Sequence, residues 1–385
     1  MNQNFMQSKL PPVYKQGRQD AYLDPIRQKL ILVTPEETVR QHFVSWLIDE
    51  LGVPKNCIRV EEQLSHYQKN LRGRADIIIN AYDTGDAVAV IECKAQGVFL
   101  DDKAFKQMFR YADKLNCNYC ALTNGDELFC YHLDGKDDVA LDSFPTYREM
   151  LQGEYSPAPI EEPPPRLEFD ELKTFYRKYV DDGIIGDATP ETLQIPMTNF
   201  CECLLDVEHK LPARRYKIFR LVEDYGIRNL SVGNSSGGHF DSAYRSFIVE
   251  YNGDTTFVSI AVSSLVRWSS LTTAFTAINV AVDRGETPHN SLELVVDDNV
   301  EVVGNEVKIF HNWSMTNGNK GRVAGDVVKS FVCESYPQIR HADRCFLGAL
   351  THDRLWTLDD PEVIHVVENL ISYALIRDDL RAILR

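Results

Sequence analysis

Apolar Val39, Phe43, Leu47 and Leu51 recur every four residues, the spacing that stacks side chains on one face of an α-helix. Just ahead, Thr34 is followed by Pro35 and, three residues on, by Glu37, while Gly52 comes directly after Leu51. An N-cap, a proline suited to the first turn, a capping-box glutamate and a terminating glycine therefore bound a predicted helix over 35–51. Beyond it the apolar period shortens. Residues 58–63 read as a strand and 66–73 as a polar, hairpin-like stretch. The β-rich runs 75–82 and 87–95 are separated by turn residues, Asp83-Thr-Gly-Asp86. A helix over 103–115, a strand over 119–123, an Asn124-Gly125 turn and a strand over 128–133 complete the order α-β-β-β-α-β-β. That order predicts an α/β domain, a mixed sheet flanked by helices.

Five prolines fall within the ten residues 156–165. Proline fixes φ and lacks a backbone donor, so an extended linker over 156–166 is expected between a domain at 1–155 and another at 167–385. In the latter, 167–180, 190–208, 323–335 and 361–384 read as helices. Residues 244–251, 255–262, 292–296, 301–303 and 307–311 read as strands, giving a separate α+β domain.

Composition narrows the class of protein. The 385 residues suffice for two cores, and 44% hydrophobic with 25% charged residues describes a soluble globular chain. No apolar run reaches the roughly 20 residues that span a bilayer, and the first residues lack a signal-peptide core, so no membrane association is expected. Nine cysteines, an odd number scattered through apolar stretches, indicate reduced thiols and a cytoplasmic setting. Cys117 and Cys120 form a CxxC without a second pair, and read as packing thiols rather than zinc ligands, as do Cys201 and Cys203. Net charge is −16. Residues 1–160 hold 18 Lys+Arg against 23 Asp+Glu, and residues 161–385 hold 23 against 34, which argues against a general basic surface for gripping nucleic acid. An acidic enzyme whose bound ion supplies local positive charge remains compatible.

The chemistry is concentrated in Arg72-Gly-Arg-Ala-Asp76-Ile-Ile-Ile79 and Val88-Ala-Val-Ile-Glu92-Cys-Lys94. Asp76 and Glu92 interrupt runs of Ile, Val and Ala that should be interior strands. A buried carboxylate has to be paired or ligate a metal. Glu92 and Lys94, two apart on a strand, share a face. If the two strands pair, all three groups converge, and two carboxylates plus water suit Mg²⁺ with phosphate oxygens as further ligands. Lys94 can orient a water or offset developing charge. On the helix that follows, Gln107 and Tyr111 are spaced i, i+4, and Glu37 on the first helix offers a further carboxylate, with Gln41 one turn later. A structural ion-pair network is the competing reading of the trio, an ordinary helix surface that of Gln107 and Tyr111, and complementing the helix dipole that of Glu36 and Glu37.

Residues about 29–133 resemble the N-terminal nuclease domain of the R subunit of type I restriction enzymes, within the PD-(D/E)xK phosphodiesterase superfamily. The resemblance rests on Thr34-Pro-Glu-Glu-Thr-Val-Arg-Gln41, Arg74-Ala-Asp-Ile77, Ile91-Glu-Cys-Lys-Ala95, the Gln107 and Tyr111 pair, and Leu122-Thr-Asn-Gly125. It implies a restriction-endonuclease-like fold, with Asp76 and Glu92 as metal ligands, Lys94 completing the site, Gln107 and Tyr111 as a further signature pair, and Glu37 assisting. It further implies an Mg²⁺-dependent endonuclease acting on DNA, with Mn²⁺ able to substitute, in defence against foreign DNA. Because one such site makes one nick, a homodimer or higher homo-oligomer is expected. The ATP-driven motor of R subunits has no counterpart, since 317–321 lacks phosphate-loop spacing.

Other features are less specific. Residues 210–220 form a basic cluster with Tyr216 and Phe219, read as a solvated helix face. The alternative makes Arg214, Arg215 and Lys217, with Arg72 and Arg74, phosphate contacts beside a stacking ring. The Gly-rich stretch 233–238 reads as a loop or an anion wrap. The domain at 167–385 is accordingly expected to select substrate, regulate or oligomerise. Two other functions stay open: a nucleic-acid-binding or assembly protein without turnover, and a nuclease switched on by a nucleotide signal bound to the C-terminal domain.

Overall fold

The computed structural model describes residues 4–135, 138–159, 166–233, 239–266, 273–283, 288–317 and 320–384. Most of the expected proline linker (160–165) and nearly all of the Gly-rich stretch (234–238) lie outside them. The chain divides into two compact units, Met1–Pro163 and Pro164–Arg385.

The first unit opens with an antiparallel meander, β1 (Val13–Gln16), β2 (Gln19–Leu23) and β3 (Leu30–Leu32). Helix α1 (Pro35–Asp49) starts where Thr34 caps it, its side chain accepting from the Glu37 N–H. Then come β4 (Ile58–Gln63), β5 (Arg74–Asn80), β6 (Ala87–Cys93), α2 (Asp102–Leu115), β7 (Tyr119–Thr123), β8 (Leu128–Leu133), β9 (Asp138–Ala140) and α3 (Tyr147–Gln152). The six strands β4 to β9 lie in sequence order in one sheet. All neighbours are antiparallel except β6 and β7, and that parallel step needs a crossover, which α2 supplies.

Both faces of this sheet are covered. Ile77, Ile79 and Ile91 pack with Val39, Phe43 and Leu47 of α1 on one side. Ile78, Val90 and Leu122 pack with Met108 and Ala112 of α2 on the other. A strand buried on both faces has no polar alternation, which is why β5 and β6 read as unbroken apolar runs. Any charge within them is conspicuous.

The second unit contains α4 (Leu172–Asp181) and α5 (Glu191–Leu205), then β10 (Arg220–Gly233), β11 (His239–Tyr251), β12 (Asp254–Val266), β13 (Ala274–Asp283) and β14 (His289–Val295) as a closed barrel. There follow α6 (Val296–Asn299), β15 (Val300–Val303), β16 (Glu306–His311), β17 (Met315–Thr316), β18 (Arg322–Val323), α7 (Gly325–Ser335), β19 (Arg340–His341), β20 (Arg344–Thr351) and α8 (Pro361–Leu384). A second sheet runs β15-β16-β20-β19. Helix α8 packs on β13, β14, β20 and α7 and joins one continuous apolar core with the barrel and α5. Residues 274–276 approach the α4–α5 connection so closely that a Cβ on Gly186 would fall 2.3 Å from the Ala274 carbonyl oxygen.

Two expectations are corrected here. The α+β domain is richer in antiparallel sheet than its sequence pattern suggests, because β10, β13 and β20 carry no regular alternation. Residues 210–219, expected as a helix face, form the irregular connection from α5 into β10.

Candidate active site

Strands β5 and β6 pair with Ile77 opposite Ile91, so the next position along the ladder brings Asp76 beside Glu92. Asp76 Oδ2 accepts the Cys93 N–H at 2.8 Å and Oδ1 accepts from Arg40 Nη2 at 3.0 Å. Glu92 Oε1 accepts from Lys94 Nζ at 2.8 Å and from Gln107 Nε2 at 2.5 Å. Its other oxygen, Oε2, is buried and has no hydrogen-bond partner among the described residues. Of the expected residues, Asp76, Glu92, Lys94 and Gln107 thus come together.

Electrostatics sharpen the picture. Burial, reinforced by the Asp76 charge, pushes the Glu92 carboxyl up from 4.5 to about 7, although Lys94 opposes it. Burial works against the Lys94 charge, but Glu92, Asp76 and Glu36 outweigh it and raise the ammonium above its ordinary value. Lys94 therefore stays protonated at neutral pH.

Arg40 and Glu61 are residues that sequence reasoning missed, and Arg40 sits at the centre. It is 2% exposed, and its Nη2 lies 3.0 Å from Asp76, 3.0 Å from Glu61 and 2.9 Å from Glu36, while Nη1 holds Glu37. Burial alone would weaken its charge, yet Asp76, Glu37 and Glu61 raise its pKa further. Glu61 reaches this point because it lies opposite Asp76: β4 and β5 pair Val60 with Ile77 and Glu62 with Ala75. Glu61 steps out of the ladder between those pairs at φ +55°, a conformation that costs a non-glycine residue on the order of 1 kcal/mol. Carboxylate oxygens of Glu36, Glu61 and Asp76 approach within 4.8 Å of one another. A guanidinium nitrogen of Arg40 lies within 3.0 Å of all three and offsets part of their negative charge.

Glu37 is placed differently from its expected role. Its carboxylate is consumed by Arg27, Arg40 and Gln41 Nε2, the last at 2.8 Å, and the helix acid near Asp76 is Glu36. Tyr111 is buried in the α2 side of the core with its hydroxyl against Gly73, where a Cβ would fall 2.8 Å from it. It packs, while Gln107 reaches the site. Arg72 is exposed, and Arg74 Nε pairs with Glu61 Oε2 at 2.6 Å. In the second unit Arg214 lies over the Tyr216 ring at 4.9 Å and Lys217 near the Tyr336 ring at 5.9 Å. Tyr216 and Phe219 are buried and stacked on each other, which leaves neither ring free for a base. Cys117 and Cys120 are buried thiols pushed above their ordinary range by desolvation.

The strands that carry Asp76 and Glu92, Lys94 directly after β6, and helices α1 and α2 fall within one stretch of recognisable sequence. Residues 35–145 match the family of the type I restriction enzyme R protein N terminus (HSDR_N). Arg40, Glu61 and Gln107 fall inside this HSDR_N segment, while residues 146–385 lie beyond it. A solved fragment described as an HsdR subunit of a type I restriction enzyme from Vibrio vulnificus YJ016 is similar at 17% identity with a TM-score of 0.25. The similarity covers 47% of this chain and 35% of that one, so the chain spans about a third of the fragment's length. No curated protein matches.

A divalent metal ion is implied by the nuclease family to which the segment is similar, and the residues present fit one. Glu92 Oε2 is a buried acceptor without a donor, beside a second carboxylate whose oxygens each retain acceptor capacity. Lys94 and Gln107 hold Glu92 by its other oxygen, and Arg40 and the Cys93 N–H hold Asp76. Two oriented carboxylates, one incompletely satisfied, make a hard-cation donor set. Among the described residues, no helix is long and apolar enough to cross a membrane.

Proposed function

We propose that the first unit is an Mg²⁺-dependent nuclease on a restriction-endonuclease-like fold, hydrolysing phosphodiester bonds in DNA in defence against foreign DNA. The observation that carries this reading is the buried, unpartnered Glu92 Oε2 beside Asp76, with Lys94 and Gln107 locked onto Oε1. Asp76 and Glu92 would hold the ion, which supplies positive charge against the phosphate and a water of lowered pKa. Lys94 stays charged, positions the attacking water or offsets charge on the phosphoryl oxygens, and is itself aimed by Glu92. Gln107 and Arg40 keep the two carboxylates from turning away. The second unit selects substrate, regulates, or pairs two copies so that both strands are cut.

Supercoiled plasmid incubated with the protein tests this. Cleavage is expected with Mg²⁺ or Mn²⁺, none with EDTA, and a loss of about two orders of magnitude or more in Lys94→Ala. Intact DNA and RNA under all conditions would instead favour a binding or assembly protein without turnover, the reading to which the net charge of −16 lends weight.

A further inference from the structure

The meander β1–β3 takes no part in the carboxylate site, and its composition departs from the rest of the chain. Residues 9–33 carry Lys9, Lys15, Arg18, Arg27 and Lys29 against only Asp20 and Asp24, in a chain of net charge −16. Lys15, Gln16, Arg18, Gln19 and Lys29 are exposed, and β1 is exposed along its whole length. Lys15 meets Asp20 at 2.5 Å across the turn, an exposed pair that contributes little and yields readily to another partner. A small exposed three-stranded meander needs packing against the rest of the fold to be stable. This one is anchored by buried Ala21 and Tyr22, with the Tyr22 hydroxyl 3.1 Å from Thr38 Oγ1 on α1.

The same ribbon walls an open depression of about 670 Å³ whose lining includes Gln16, Gln19 and Leu32 together with Glu36, Arg40 and Glu61. Gln16, Gln19 and Leu32 of the ribbon thus share this depression with Glu36 and Glu61, whose carboxylates approach that of Asp76 within 4.8 Å. Ribbon and carboxylates are also fixed to each other by a buried polar chain. Asp24, directly after β2, accepts from Gln41 Nε2 at 2.6 Å and Arg27 Nε at 2.8 Å. Gln41 and Arg27 both donate to Glu37, Glu37 accepts from Arg40, and Arg40 reaches Asp76. A surface tied so directly to a reactive group is held at a set distance from it.

We propose that the β1–β3 meander is the surface that holds duplex DNA at the site, with Lys15, Arg18 and Lys29 on backbone phosphates and Gln16 and Gln19 as amide donors. The inference rests on the nuclease reading above and deepens it. Charge complementarity carries it, since a basic, amide-rich ribbon borders a site that is otherwise acidic.

The test uses the full chain and a fluorescent duplex in EDTA, with binding followed by anisotropy from low to moderate salt. Lys15→Ser/Arg18→Ser/Lys29→Ser is expected to bind at least about tenfold more weakly and to flatten the log–log salt slope by about 2 to 3, at roughly 0.9 per lost phosphate contact. Thermal unfolding and Mn²⁺ binding should be unchanged, which separates lost contacts from lost structure. Unchanged affinity and slope, in a protein whose wild type binds and cuts DNA, would overturn the surface and leave the nuclease reading intact. Equal binding of an RNA duplex, equally weakened in the variant, would overturn the choice of DNA. A wild type that neither binds nor cuts any nucleic acid sinks both.

Discussion

Gln107 Nε2 and Glu92 Oε1 lie 2.5 Å apart, and this contact from α2 fixes which oxygen of Glu92 is spoken for. With Lys94 on the same atom, Oε2 is left as a buried acceptor. The cost of burying it without a partner is a cost that a bound cation would remove.

A pH dependence follows. The Glu92 carboxyl is pushed up from 4.5 to about 7, so between those values the folded, metal-free protein binds a proton that the unfolded chain releases. The contribution of Glu92 to stability in EDTA should therefore be fully present below about pH 4.5, fall as pH rises toward 7, and level off above it. The span is on the order of a few kcal/mol. Urea unfolding at pH 5 and pH 8 measures it, and Glu92→Gln should abolish the difference. Mn²⁺ affinity should run the opposite way and tighten as pH passes 7, because ligation requires the carboxylate.

Arg40 is the cation shared by Glu36, Glu37, Glu61 and Asp76, of which Glu37 and Asp76 are buried. Arg40→Met should destabilise the first unit by about 3–5 kcal/mol, the cost of breaking a buried ion pair from one side. Arg40→Lys keeps a charge but loses the fork, so it should recover only part of the loss. Equilibrium urea denaturation reads both. A change within 0.5 kcal/mol or so for the methionine variant would contradict the network.

Adjacent residues of α1 should behave differently. Glu37 is buried and holds three donors, so Glu37→Gln should lower the unfolding free energy by about 1–3 kcal/mol. The Glu36 side chain is 46% exposed, and Glu36→Gln should leave stability nearly unchanged while weakening Mn²⁺ binding through lost negative charge near Glu92. Calorimetric titration with Mn²⁺, beside thermal melts, separates the two.

Gly73 has φ +122° and no room for a methyl group beside the Tyr111 ring. Gly73→Ala should cost about 1–3 kcal/mol from strain and displaced packing. Combining it with Tyr111→Ala should recover part of that cost if the close approach is its source, which a double-mutant thermal-unfolding cycle would show.

The trio Asp76, Glu92 and Lys94 was legible in the sequence because strands buried on both faces admit no idle charges. The α1 start was legible from Thr34 and Pro35, whose roles are local. Glu61 was not, since its meeting with Asp76 is a matter of strand register and of a left-handed step at a single residue. Neighbours on a helix point about 100° apart, and nothing local says whether Glu36 or Glu37 faces the sheet. Arg40 was not legible either, since its partners Glu61 and Asp76 come from strands β4 and β5 far along the chain. In the second unit, β13 is buried across most of its length and so lacks alternation. Register shifts at Leu221/Glu223 and Asp224/Gly226 broke the period of β10.

Helix α8 ties separate parts of the second unit together. The barrel strands β13 and β14, strand β20 of the smaller sheet and helix α7 all pack on residues 361–384. Shortening the chain ahead of residue 361 would therefore uncover apolar surface on the barrel and on the smaller sheet at once.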